Sequence, residues 1–174
     1  MAILPIIWAP DPRLKSISEP VPAVDDGVLQ LMNDMLDTMY AEPGIGLSAI
    51  QVGIPKRIVV VDVARDGEEP QPLRLINPVI TGESDDIAVF DEGCLSLPEF
   101  FADIERPAEV EVAYTDEAGK DQTLRADDIL SRCLQHEINH LDGILFVDHL
   151  SAVRRGMILR KLSKLKKSNE RENA

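Results

Sequence analysis

The chain has 174 residues, of which 44% are hydrophobic and 28% charged, the balance of one soluble globular domain, which excludes a disordered chain and a collagen-like fibre. Only 4% are aromatic, so aliphatic side chains must build the core. The net charge of −13 disfavours non-specific nucleic-acid binding by the bulk of the surface, but it is uneven: Ser151–Ala174 carries eight basic and two acidic residues, leaving ten basic against 29 acidic before it.

The opening Met-Ala-Ile-Leu-Pro-Ile-Ile-Trp is apolar but lacks preceding positive residues and is broken by Pro5, so it reads as neither a signal peptide nor a membrane span. Two cysteines, Cys94 and Cys133, do not make a disulfide scaffold, and a reducing cytosol is the expected compartment. Residues 25 to 40 place Val28, Leu31, Met32, Met35 and Met39 at three- and four-residue steps behind Asp25 and Asp26, an amphipathic helix that Pro43-Gly44 ends. Gly44 to Gly53 is glycine-punctuated and apolar, a close-approach loop or edge strand. Arg57 to Val63 and Leu73 to Ile80 are β-branched runs, Glu109 to Tyr114 alternates like a half-solvated strand, and Gln122 to Ala126 returns from a turn at Asp116 to Lys120. Asp127 or Asp128 can cap a second helix running to about Leu141, stopped by Asp142-Gly143. A third, basic helix is expected over about 151–167, with an apolar stripe of Leu150, Val153, Met157, Ile158, Leu162 and Leu165. Strands joined by turns more often than by helices predict a single α+β domain, residues 1–174, with antiparallel sheet.

Inside the second helix, Gln135-His136-Glu137-Ile138-Asn139-His140 contains His-Glu-x-x-His. That spacing sets two imidazoles one turn apart on one face, where they can grip one metal ion. Glu137 follows the first histidine, so its carboxylate can reach a water held at the metal without being a ligand. A third ligand has several candidates: Cys94, Cys133, His149 and many carboxylates. Cys133, His136 and His140 spread over about 10.5 Å of helix rise, too far to converge on one ion, so Cys133 reads as a packed hydrophobe beside the site. Cys94 lies in Glu92-Gly93-Cys94-Leu95-Ser96-Leu97-Pro98, which by itself fits a buried inert cysteine. His149 reads as structural or exposed.

Gly44-Ile45-Gly46-Leu47-Ser48-Ala49-Ile50-Gln51, Glu92-Gly93-Cys94-Leu95-Ser96 and Gln135-His136-Glu137-Ile138-Asn139-His140 resemble, in order and spacing, the three signature motifs of peptide deformylase. Ala9-Pro10-Asp11-Pro12-Arg13-Leu14 and Ile76-Asn77-Pro78 are also similar to that family. The resemblance implies antiparallel sheets packed around a central helix bearing His-Glu-x-x-His, and a cytoplasmic enzyme that hydrolyses the N-formyl group from the methionine of nascent peptides, releasing formate. It implies Cys94, His136 and His140 as metal ligands, with Fe(II) in vivo and Zn, Ni or Co as possible substitutes. Glu137 is then the proton carrier, and the Gln51 amide and the Leu95 N–H are the oxyanion donors. Gly44, Ile45 and Gly46 would pair with an extended peptide as an added strand, with Gly93 and Cys133 also in the substrate site and the methionine pocket near Ile45, Leu95, Cys133 and His136. The basic helix would touch ribosomal RNA. Rival readings are a zinc-dependent peptidase, whose third ligand would be a downstream Glu or His, and a non-catalytic metal-stabilised binding module. Three positions depart from the family pattern: Ser48 for a commoner alanine, Phe101 where many members carry arginine, and Arg132 at a position often apolar.

Overall fold

A computed structural model describes residues 2–173. Its strands are β1 (Gly46–Ser48), β2 (Ile58–Val61), β3 (Leu73–Glu83), β4 (Ile87–Cys94), β5 (Leu97–Pro107), β6 (Val110–Thr115) and β7 (Asp121–Ala126). The helices are α1 (Asp26–Ala41), α2 (Asp128–Leu141) and α3 (Ala152–Glu172). Five strands form one antiparallel sheet in the order β1-β2-β3-β6-β7, and β4 and β5 form a separate antiparallel pair.

The run Ile58-Val59-Val60-Val61 is apolar at every position because both faces of β2 are covered. Ile58 and Val60 pack with Met32, Met35 and Met39 of α1 on one face. Val59 and Val61 pack with Leu134, Ile138 and Leu141 of α2 on the other. A third cluster joins Leu97, Ala102 and Ile104 of β5 to Phe146 and to Leu162 of α3. The ring of Phe146 stacks on His136 at 6.3 Å between centroids, so α2 lies between the main sheet and this third cluster. The expected α+β arrangement around a central helix is present.

Local chemistry explains the helix ends. The Asp25 side chain accepts from the Val28 N–H at 2.9 Å and caps α1. Asp127 holds the cap position of α2, but its side chain makes no capping bond, contrary to expectation. Gly143 ends that helix at φ +74°, and a Cβ there would lie 2.4 Å from the Lys15 carbonyl oxygen, so only glycine fits.

Several boundaries differ from the sequence reading. Gly44–Gly53 divides into the edge strand β1 and a 3₁₀ turn at Ala49–Val52. The strand β5 had no counterpart in that reading, because its inward residues Ala102, Ile104 and Arg106 alternate with exposed Phe101, Asp103 and Glu105 around a buried arginine. α3 runs five residues past Lys167, and its buried stripe is narrower than expected: Val153 is 72% exposed and Met157 44%, while Leu159 joins Ile158, Leu162 and Leu165 in the packed face.

Candidate active site

The strands β1 and β4 and the helix α2 deliver the site. Cys94 ends β4, where the register slips by a bulge at Gly93/Cys94. Its Sγ lies 3.3 Å from His140 Nε2, and His140 Nε2 lies 3.2 Å from His136 Nε2. The three donor atoms all lie within 4.8 Å of one another. Thus the thiol that sequence alone left open converges with both imidazoles, whereas Cys133 donates from Sγ to the Ile45 carbonyl at 3.6 Å and His149 is absent from the cluster. One soft thiolate and two neutral imidazole nitrogens form a donor set suited to Zn, Fe, Co or Ni, and this convergence is the geometric requirement for a single ion.

Charge supports the fit. Burial would lower the His136 pKa, but the Cys94 sulfur and the Glu92 carboxylate override it and raise it to about 10. His140 is pushed well below its ordinary value by burial and by the neighbouring His136. Its Nδ1 is buried without a hydrogen-bond partner among the described residues.

Glu92 was quoted in the sequence motif without a role, and the structure gives it one. Its Oε1 accepts from His136 Nδ1 at 2.9 Å, which leaves Nε2 of that ring for the cluster. Arg106 of β5 grips the same carboxylate with two hydrogen bonds and donates from Nη1 to Asn139 Oδ1 at 2.8 Å. Both side chains are almost fully buried, 1% exposed for Glu92 and 4% for Arg106. Burial pushes the Glu92 carboxyl up, but the His136 and Arg106 hydrogen bonds outweigh it and hold the pKa at about 2. The sequence signal was available: Glu92 and Cys94 stand two apart on a strand and so share a side. Arg106 had no such signal, because its partner lies 14 residues away across the hairpin.

Glu137 is buried, with Oε1 3.9 Å from His136 Nε2 and Oε2 lacking any partner among the described residues. Burial raises its pKa to about 7, opposed by the charge of His136. Gln51, in the 3₁₀ turn after β1, is held by its own loop, since Ser48 N and Oγ both donate to its Oε1 at 3.0 Å. This is the partner that the Ser48 hydroxyl needed. The bonds orient Gln51 Nε2 toward Ser96 Oγ at 3.1 Å and Cys94 Sγ at 3.5 Å.

A cavity of about 940 Å³ opens over this cluster. Gly44, Ile45, Gly46, Gly93, Cys94, Leu95, Cys133, His136 and Glu137 line it, while Gln51 and His140 lie behind that wall. Close approach explains the glycines: a Cβ on Gly44 would lie 2.8 Å from Leu95 Cδ1, and one on Gly46 2.7 Å from Cys133 Sγ. Arg132 spans the rim, donating from Nη1 to the Asp91 carbonyl at 3.0 Å. Phe101 lies over Gly93 with 64% of its surface exposed.

A Cys-His-His donor set beside a buried carboxylate, on an α+β frame under an open cavity, defines a metallohydrolase centre. The polypeptide deformylase family model matches residues 3–156, and the chain belongs to that family. It is 49% identical to the peptide deformylase of Rhizobium meliloti over 97% of both chains. It is 52% identical to that of Agrobacterium fabrum over 94% of this chain and 96% of the relative. Among solved structures, the crystal structure of peptide deformylase from Ehrlichia chaffeensis superposes with a TM-score of 0.92 at 38% identity, covering 97% of this chain and 99% of that one. The same enzyme in complex with actinonin superposes at 0.90 with 42% identity, covering 94% and 98%.

Proposed function

We propose that the chain hydrolyses the N-formyl group of formylmethionyl peptides, releasing formate, with its 174 residues acting as one metallohydrolase domain. The observation that carries this reading is the convergence of Cys94, His136 and His140 beside buried Glu137, with the Gln51 amide aimed at the same point. A divalent ion held by those three side chains supplies Lewis acidity that makes water nucleophilic near neutral pH. Fe(II) is our assignment for the natural metal, with Zn, Ni and Co as substitutes that the donor set accepts.

The remaining work falls to this chain's own residues. Glu137 takes the proton of the attacking water and returns it to the leaving amine, a role suited to a carboxyl raised to about 7. The Gln51 Nε2–H and the Leu95 N–H donate to the oxygen that gains charge as the formyl carbon becomes tetrahedral. β1 is the open edge of its sheet, so an extended peptide can add there through the backbone at Gly44, Ile45 and Gly46. Backbone pairing ignores most side chains, which suits an enzyme meeting many nascent chains. The methionine side chain enters near Ile45, Leu95, Cys133 and His136, which all line the cavity. Neither the peptidase nor the binding-module reading gains support, since the third donor is a cysteine and the converging group has three members.

The test is formate release from formyl-Met-Ala-Ser by anaerobically prepared enzyme loaded with Fe(II) or Ni(II). We expect release that a chelator abolishes and that added metal restores. Loaded enzyme that leaves the formyl peptide intact overturns the reading. The exposed basic residues of α3, Lys161, Lys164 and Lys167 among them, suit contact with ribosomal RNA. Reversing their charge should then reduce cosedimentation with ribosomes at moderate salt. No helix among the described residues is long and apolar enough to cross a membrane. Both cysteines are free, which fits the reducing cytoplasm we propose as its setting.

A further inference from the structure

The cavity continues past the metal-donor cluster. Its buried end is built by His136 and Glu137, and its outer margin by Asp11 and Arg13 with Lys166, Asn169 and Glu170 from the last turns of α3, together with exposed Glu42, Asp91, Glu99 and Phe101. This part of α3 is anchored. Leu162 is fully buried against the β5 cluster, and Leu165, the residue before Lys166, packs on the same cluster. Lys166 is thereby held half-buried at the rim.

Its surroundings leave the ammonium available. Arg13 donates from Nη2 to Asp11 Oδ2 at 2.8 Å, so those two charges satisfy each other. The Arg13 hydrogen bond is the main reason the Asp11 pKa falls to about 2, with burial opposing it and the charge of Lys166 adding a smaller downward pull. Lys166 lines the same cavity as that pair, and among the described residues no carboxylate lies within 4.0 Å of it. Glu170, one turn further along, is exposed and solvated.

A formylated peptide is blocked at its amino end, and the reacting amide must sit at the buried end beside Glu137. The rest of the chain leaves in its carboxyl direction through the exposed margin of the cavity, of which α3 forms a part. The last turns of α3 line that margin, so an extended chain departing on that side runs beside them.

We propose that the last turns of α3 are the outer wall of the peptide channel, and that Lys166 favours an acidic side chain a few residues downstream of the formylmethionine. The proposal rests on the deformylase reading of the buried end.

The test uses the full-length, metal-loaded enzyme as wild type and as Lys166→Gln, Lys166→Glu and Lys166→Arg. The substrates are formyl-Met-Ala-Ser peptides extended by one to three residues, carrying Asp, Ala or Lys at each added position. The wild type should prefer Asp over Lys at one added position, mainly through KM, by roughly two- to fivefold, less at high salt. Lys166→Glu should invert that ratio, Lys166→Gln should flatten it and Lys166→Arg should keep it. An Asp-to-Lys ratio that is the same in all four enzymes overturns the proposal. Formate release from unextended formyl-Met-Ala-Ser by the wild type reports the reaction itself, so failure of the deformylase reading is seen separately.

Discussion

Glu137 and Glu92 are both buried carboxylates near one cluster, yet their neighbours drive them apart. Glu137 has no cation bonded to it and is raised to about 7, whereas Glu92 is held at about 2 by His136 and Arg106. The first suits the proton-carrying role proposed for Glu137, and the second keeps a negative charge against His136 Nδ1, in line with the ligand role proposed for that ring. Glu137→Gln keeps the volume and removes the proposed proton carrier. Its formate release should fall by about 10²- to 10⁴-fold while metal content, measured by elemental analysis, stays near wild type. Glu92→Gln should act differently. Metal affinity, read by competition with a chromogenic chelator, should weaken by about 10- to 100-fold. The melting temperature should also fall, because Arg106 is left buried without a counter-charge.

Among the elements, β1 is the most tightly constrained. Three residues long, it pairs with β2 in the register Gly46↔Val61 and Ser48↔Val59, and it presses against α2 so closely that Gly46 has no room for a side chain. A Cβ at that position would come within 2.7 Å of Cys133 Sγ and 2.9 Å of Glu137 Cγ. Gly46→Ala should displace Glu137, and a shift of about 1 Å in a catalytic group can cost on the order of 100-fold in rate. Steady-state formate assays should therefore show a large fall in kcat/KM. Cys133→Ala in the same chain removes one of the two overlaps and should recover part of the loss.

Across the whole molecule, distant segments are tied by charge as well as by apolar packing. Asp148, after α2, accepts from Lys15 near the amino end, from Leu145 N at 2.9 Å and from Arg155 Nε of α3 at 2.8 Å. Burial raises the Asp148 pKa, but the Lys15 hydrogen bond and the other donors outweigh it and leave it below 3.8. A carboxyl depressed in the folded state adds stability above its unfolded pKa, and that stability is lost as pH falls through the folded value. Wild type should thus melt higher than Asp148→Asn at pH 6 to 7. The difference should close as acid is added below about pH 3.8, the ordinary value for this carboxyl, in paired thermal melts.

Periodicity determined much on its own. The steps of Met32, Met35 and Met39 specified α1, the His-Glu-x-x-His spacing put two imidazoles on one face of α2, and β-branched runs marked β2 and the start of β3. Such patterns are local, because neighbours on a helix face or strand side are fixed by backbone geometry. The distances that bring Cys94 to both imidazoles, the Glu92–Arg106 pair beside His136, the strand β5 and the seat of Lys166 at the cavity rim were decided only by the tertiary structure. Each depends on a contact between residues far apart in the chain, whose distance no local spacing constrains.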